Sequence, residues 1–338
     1  MEEQVKKIDP NLVAKRTLYT GDEIPVIGLG TFGSDSIPHK TVAETVKSAI
    51  EGGYRHIDCA AVYMNEEHIG KSLAAVINEG IVTREELWIT GKFWNDKHKE
   101  VEASCRQTLK DLQLDYLDLY LVHWPFPNDH APHCDVDSRN PDSTPFNIDA
   151  YMETWSAMES LVENGLVKNI GTSNVTVPKM KLILERVTIK PAVNQMELHP
   201  CFQQPELFDF MVENGIQPIG YSPIGSPNRP ERNKTEADPI DTQDPVVQKI
   251  AKRLNIHPAT VCLKWAIQRG QIPIPFSTNP RNYLSNLEAA TTMSITPEEM
   301  EEMKSADKNS RLIRGQIFLW EGADSWEDLW DLDGFCHI

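Results

Sequence analysis

Eight short apolar runs alternate with amphipathic stretches from one end of the chain to the other, and this alternation restricts the fold more than any other feature. The runs are Ile24–Thr31, Tyr54–Ala60, Leu87–Lys92, Tyr116–His123, Val167–Asn174, Ala192–Leu198, Gln217–Pro223 and Ile272–Ser277. Apolar runs this short suit strands of a parallel sheet buried on both faces. Between them, KTVAETVKSAIEGG, EEHIGKSLAAVINEG, EVEASCRQTLKDLQL and PVVQKIAKRLN carry apolar residues at helical spacing. The first closes on Gly52-Gly53 and the second on Gly80, while Thr83–Glu86 reads as a helix N-cap with acidic residues in its first turn. Eight strand–helix units match a (β/α)8 TIM barrel; an open doubly wound sheet would use five or six and leave residues for a second domain. No linker, composition shift or repeat interrupts the pattern, so one domain over 1–338 is expected, with the barrel at 24–306 and a tail at 307–338.

The 338 residues include 33 basic and 50 acidic side chains, a net charge of −17 that argues against nucleic acid as a partner. A basic pocket within this acidic chain would still admit an anionic small molecule. The six cysteines stand far apart without a C-x-x-C pair, which excludes a small disulfide scaffold and a local Cys-type zinc site. His130, His133 and His337 lack ligand spacing, so no metal is expected. The start MEEQVKKIDP lacks the apolar core of a signal peptide, and no run approaches the ~20 residues that span a bilayer. These features fit a cytoplasmic chain, free of membrane, and no exposed heptad or long edge argues against a monomer or weak homodimer. Two long polar insertions, Asn128–Asn147 after the fourth strand and Gly225–Asp244 after the seventh, fall on the face where barrel active sites sit.

Gly28-Leu-Gly30-Thr-Phe-Gly33 matches the dinucleotide fingerprint G-x-G-x-x-G, and Asp58 closes the next strand. In that fingerprint the helix opens at the glycines, so that its N–H groups face the phosphate. Here Ser34–His39 intervenes before a helix that starts near Lys40, so the glycines are assigned to a tight strand end. The polar ends of the buried strands carry more chemistry. Asp58 closes the second strand with Tyr63 five residues on, Lys92 ends the third and His123 the fourth. A lone buried His or Lys is more often structural, but three consecutive strands ending in ionisable residues would bring them to one barrel mouth. Lysine beside tyrosine stabilises tyrosinate and lowers a pKa near 10, and Asp58 would hold Lys92 charged. With His123 hydrogen-bonding a carbonyl oxygen, Tyr63 would protonate that oxygen as a hydride reaches carbon.

The ordered motifs IPVIGLGTFG, GYRHIDCAAVYMNE, LWITGKFWN, YLDLYLVHWP, GLVKNIGTSNV, PAVNQMELHP, PIGYSPIGSPNRP and IPIPFSTNPRN resemble the aldo-keto reductases over almost the whole chain. The resemblance implies a (β/α)8 barrel with an N-terminal β-hairpin, long loops after strands 4 and 7 and a substrate-side tail. It also implies a nicotinamide cofactor, NADP(H) or NAD(H), without a Rossmann fold, and a tetrad of Asp58, Tyr63, Lys92 and His123 with Tyr63 as general acid. By position, Ser173, Asn174 and Gln195 would hold the carboxamide and Tyr221 would stack on the nicotinamide. Ser222, Pro223, Gly225 and Ser226 would cover the pyrophosphate. Thr31 and Phe32 lie beside both sites, and Phe32, Trp94, Trp124, Phe126 and Trp320 would line the substrate pocket with His123.

At the adenosine end the match departs. The lysine that usually grips a 2′-phosphate is Phe276 and the arginine is Asn282, while Ser277, Thr278, Asn279 and Asn286 complete that end. Losing two charged hydrogen bonds, each worth about 1.5–3 kcal/mol, predicts dual or NADH-leaning use unless Arg281 substitutes. The implied activity is NAD(P)H-dependent reduction of an aldehyde or ketone, with aldoses and sugar derivatives as candidates. The alternative is a cofactor-binding regulatory protein on the same scaffold with little turnover. In the tail, Trp326, Leu329 and Trp330 are assigned to packing and Phe318 and Trp320 to the pocket, with Arg311 and Arg314 as candidate anion ligands or partners of surface carboxylates.

Overall fold

The computed structural model describes residues 7–130 and 134–336; His133 and His337 lie outside them. A hairpin of β1 (Lys15–Thr17) and β2 (Glu23–Pro25) leads into eight parallel strands. These are β3 (Leu29–Gly30), β4 (His56–Asp58), β5 (Trp88–Phe93), β6 (Leu117–Val122), β7 (Val167–Ser173), β8 (Val193–Glu197), β9 (Gln217–Tyr221) and β10 (Ile272–Pro273). Neighbours in the sheet are neighbours in sequence, as right-handed β-helix-β crossovers produce. The ring closes where Gly28 N–H donates to Pro273 O at 3.1 Å and Gly30 N–H to Pro275 O at 2.9 Å.

The fingerprint glycines serve this closure. A Cβ at Gly28 would lie 2.7 Å from Ile274 Cδ1 and 2.8 Å from the buried His56 ring, so a bare backbone is needed where first and last strands meet. The helix that follows, α1 (His39–Gly52), starts well beyond Gly33 and ends on Gly53 in the left-handed conformation. The other helices are α2 (Glu66–Asn78), α3 (Val101–Leu112), α4 (Ile148–Glu163), α5 (Val177–Leu184), α6 (Pro205–Glu213), α7 (Pro245–Leu254), α8 (Pro258–Arg269), α9 (Pro280–Glu288) and α10 (Pro297–Glu302). The apolar faces of α1 to α6 and α9 pack with the strands in one large core, while α7 and much of α8 pack with Ile295 and Met303 in a separate cluster. No described helix is long and apolar enough to cross a membrane.

Two local expectations change. The run Ile24–Thr31 is not one strand: Ile24 pairs with Arg16 in the hairpin, and only Leu29 and Gly30 join the barrel. Leu18 and Ile24 thereby reach the barrel interior beside Leu119, Leu121, Val193 and Ile219 and plug its lower end. Thr83–Glu86 caps a single 3₁₀ turn, Arg84–Glu86, that runs directly into β5, so its capping chemistry ends a loop and starts no α-helix.

Beyond α10 the tail crosses the upper rim and is fastened at both ends. Near its start, Leu312 and Ile313 N–H donate to Glu197 at 2.7 and 2.9 Å. Near its end, the buried Lys179 ammonium of α5 pairs with Asp331, which also accepts from Thr176 Oγ1. Trp330 and Leu329 are buried as expected, and the Trp330 indole donates to Arg314 O at 2.8 Å. Arg311 is no surface cation: it is buried with its guanidinium 3.4 Å from the Trp330 ring centroid, and Arg314 lies 3.6 Å from Asp238.

Candidate active site

Asp58, Lys92 and His123 come from the upper ends of β4, β5 and β6, which run parallel and in register, so the three side chains reach one mouth. Lys92 is fully buried, pairs with Asp58 and donates to Cys59 O at 3.1 Å. Tyr63 ends a 3₁₀ turn after β4 (Ala61–Tyr63) and sets its ring over the lysine, 5.4 Å from Nζ. Its ring lies edge-on to that of His123 at 6.0 Å.

The electrostatics modify the expected tyrosine. Burial would weaken the Lys92 charge, but Asp58 and Tyr63 outweigh it and the Lys92 pKa is raised, so Lys92 is cationic. Burial raises the Tyr63 pKa, and Lys92 pulls it back only in part, so the phenol alone is not the depressed acid that a neighbouring lysine suggested. His123 is held well below its ordinary pKa by burial and by Lys92, so its imidazole is neutral. Its Nδ1 is buried without a hydrogen-bond partner.

A second polar group lies beside the first. Gln195 of β8 donates to Asp58 at 2.8 Å, so it also orients the acid that holds Lys92. Asn174, in the left-handed conformation just past β7, donates to His123 O at 3.0 Å and accepts from Tyr221 Oη at 2.8 Å. Ser173 Oγ donates to Gln195 O at 2.9 Å. Tyr221 ends β9 and is partly buried, and burial raises its phenol pKa well above the ordinary value. After it, Ser222 and Ser226 both have positive φ and join through their hydroxyls at 2.8 Å, with Pro223 and Gly225 buried between them. Arg229 folds this loop on itself, donating to Gly225 O and Ser226 O and pairing with Asp238.

On the other side of Tyr63, Thr31 donates to Asp58 O at 2.8 Å and the exposed Phe32 ring lies 5.1 Å from that of Tyr63. Trp94 stands 5.1 Å from His123 and opens an aromatic cluster with Phe318, Trp124 and Phe126. Phe126 is buried under Trp124 and Phe318, a wall of the cluster more than its surface. Trp320 is half-buried against the same core, but the tail's ring contact with Trp94 is made by Phe318, and those with Trp124 by Phe318 and Trp330.

The adenosine-side residues gather between β10 and α9. Phe276, Ser277 and Thr278 are half-buried, and Ser277 Oγ accepts the Asn279 N–H at 3.2 Å. Asn279 caps α9, Asn286 is buried, and Arg281 and Asn282 are exposed on its first turn.

Comparison with known proteins agrees with this fold. The Aldo/keto reductase family profile matches residues 26–308. An aldo/keto reductase of Synechocystis is 40% identical over 93% of this chain and 95% of its own length. Aldo-keto reductase family 1 member A1 of Gallus gallus is 42% identical over 88% of this chain and 89% of its own. The crystal structure of a Bombyx mori aldo-keto reductase in complex with NADP superposes with a TM-score of 0.78 at 37% identity, covering 89% of this chain and 95% of that one. A closed eight-stranded parallel barrel with ionisable residues at the ends of three consecutive strands, matched over nearly its full length, shows that the chain belongs to the aldo/keto reductase family of NAD(P)-dependent carbonyl oxidoreductases.

Proposed function

We propose that the chain reduces an aldehyde or ketone to the alcohol, with Tyr63 as the general acid; the observation that carries this reading is the Asp58–Lys92–Tyr63 chain facing a neutral His123. A bound nicotinamide cofactor supplies the hydride. The donors and acceptors of Ser173, Asn174 and Gln195, with the Tyr221 ring tied to Asn174, fit the nicotinamide end, and the Ser222–Ser226 turn fits the pyrophosphate. His123, neutral, donates to the carbonyl oxygen and fixes the reacting carbon. As negative charge develops on that oxygen, the Tyr63 proton transfers to it and tyrosinate forms beside Lys92. The ammonium stabilises this anion more than the neutral phenol, so its contribution is concentrated in the transition state. Asp58, held by Gln195, keeps the ammonium charged and in place. Trp94 and Phe318 exclude water on the substrate side.

The aromatic wall suits a carbonyl compound with an apolar or flat body, and an aldose would meet few polar partners on this side. Both tail arginines are engaged elsewhere, Arg311 on Trp330 and Arg314 near Asp238, which disfavours an anionic substrate held by them. Phe276 and Asn282 support dual or NADH-leaning use of the cofactor.

The test is Tyr63→Phe. With NADPH or NADH and an aromatic aldehyde as probe, loss of the acid lowers kcat about a hundredfold or more. Cofactor binding, followed by tryptophan quenching, stays within a factor of about two. Near-normal turnover in the variant would remove Tyr63 from the role.

A further inference from the structure

Three residues that the proposed reaction does not use form a buried chain beneath the cofactor side. Glu197, the last residue of β8, accepts from His199 Nε2 at 3.0 Å, and His199 Nδ1 donates to Asp241 at 2.8 Å. All three are fully buried. Each carboxylate also holds main chain. Glu197 takes the N–H groups of Leu312 and Ile313 at the root of the tail. Asp241, at the far end of the 225–244 loop, takes the Cys201 N–H at 2.9 Å. The same carboxylate fills the space at Gly225, where a Cβ would collide with its second oxygen, so it also packs the start of the loop. That second oxygen, Oδ2, is buried without a hydrogen-bond partner.

A second bridge runs nearer the surface. Asp238 pairs with Arg229 inside the loop and lies 3.6 Å from Arg314 of the tail. Loop and tail are therefore joined twice, once through a buried histidine between two acids and once through a half-exposed arginine. Protonated on both nitrogens, a histidine satisfies two carboxylates at once; without it, two buried anions would face each other. The other ionisable groups around the chain are Arg311 and Tyr221 near Glu197, and Cys201, Cys262, Asp244 and Lys308 near Asp241.

We propose that His199 is a positioning residue that couples the 225–244 loop to the root of the tail, so that opening on the cofactor side and rearrangement on the substrate side occur as one event. The coupling stands on geometry alone; its consequence for turnover rests on the proposed reading of the loop as the cover of the cofactor. The loop closes only while Asp241 is held, and Phe318 keeps its place beside Trp94 only while the tail root is held. Both restraints end on the same imidazole.

Hydrogen–deuterium exchange of the full chain tests this in His199→Gln, Asp241→Asn and Arg314→Ala. The expected result is faster exchange in 225–244 and 311–319 together, strongest for His199→Gln and weaker for Arg314→Ala. Dissociation of NADPH or NADH in stopped flow speeds up about tenfold in His199→Gln. The single-turnover rate with an aromatic aldehyde changes less than about threefold, a split that general loss of stability would not give. Should His199→Gln not fold, Asp241→Asn, which keeps the side chain's shape but weakens its bond to the imidazole, decides the matter by the same two segments. Exchange that rises in one segment alone, or in neither, overturns the coupling. If the wild-type chain binds neither nucleotide, the proposed function fails, while the exchange comparison still decides the coupling.

Discussion

Tyr63 has to give up a proton from a phenol that burial makes a weaker acid, and the compensation is Lys92, whose charge is itself secured by Asp58. Each residue in this line corrects the cost of burying the one before it, which is why the site needs three groups in a row to present one proton. Phe276 and Asn282 illustrate the opposite condition, an absence of charge where an anion could sit. Arg281 is the cation on the exposed first turn of α9, and among the described residues no side-chain hydrogen bond or ion pair holds its guanidinium. We predict that kcat/KM for NADH is at least a tenth of that for NADPH. The double substitution Phe276→Lys with Asn282→Arg raises the NADPH-to-NADH ratio about tenfold or more, since each charged hydrogen bond is worth about 1.5–3 kcal/mol. Steady-state kinetics with both nucleotides checks this, and a hundredfold NADPH preference in the native chain would refute it.

The tail is the element whose position decides the substrate side, and its far end depends on one buried ion pair. Asp331→Ala leaves the Lys179 ammonium in the protein interior without its carboxylate, and breaking such a pair costs about 3–5 kcal/mol. Urea unfolding should show that loss, and Lys179→Met in the same chain should recover most of it, the signature of an uncompensated charge. Neither Lys179 nor Asp331 stood out in the sequence, because a lysine in a helix and an aspartate in an acidic tail have no periodic context that marks them as buried. The barrel was legible for the converse reason: strands buried on both faces must be apolar throughout, and eight of them leave a pattern. Asp58, Lys92 and His123 were visible as exceptions to it. The split of Ile24–Thr31 into hairpin and barrel was not visible, since both pieces are equally apolar. Asp241 lay hidden in a polar loop, and Glu197 and His199 stood in the quoted motif ELHP without an assigned task. A charged residue closing a buried strand, as at Asp58, was the signal that applied to Glu197 as well.

At the scale of the whole molecule, the buried histidines set the pH range of stability. Burial lowers His56 and His98 to about 4, and His123 is also lowered, so all three fold neutral. Unfolded histidine titrates near 6.5, so below that pH the unfolded chain gains protons that the folded chain refuses, and stability falls. Glu66, raised by burial to about 7, works against this slope, one group against three. Burial also opposes a charge on His199, but its hydrogen bonds to Asp241 and Glu197 win and carry its pKa up to about 9. Its contribution is therefore fully present below about 6.5 and is lost as pH rises through 9, a term of the order of 3 kcal/mol. Urea midpoints at constant ionic strength should peak near pH 6–7, and His199→Gln should flatten the alkaline side; an unchanged alkaline slope would show that His199 is not the group responsible.

The two fastenings of the tail have a consequence for protein engineering. Leu312 and Ile313 are gripped by Glu197, Trp330 rests on Arg311, and Asp331 is locked to Lys179, so the segment from Gly315 to Asp328 is a span between two fixed posts. Phe318, the tail's contact with Trp94, lies within that span and outside both posts. A foreign segment of similar length could be grafted there as a cassette, changing which carbonyl compounds fit while the barrel, the tetrad and both anchor points keep their residues.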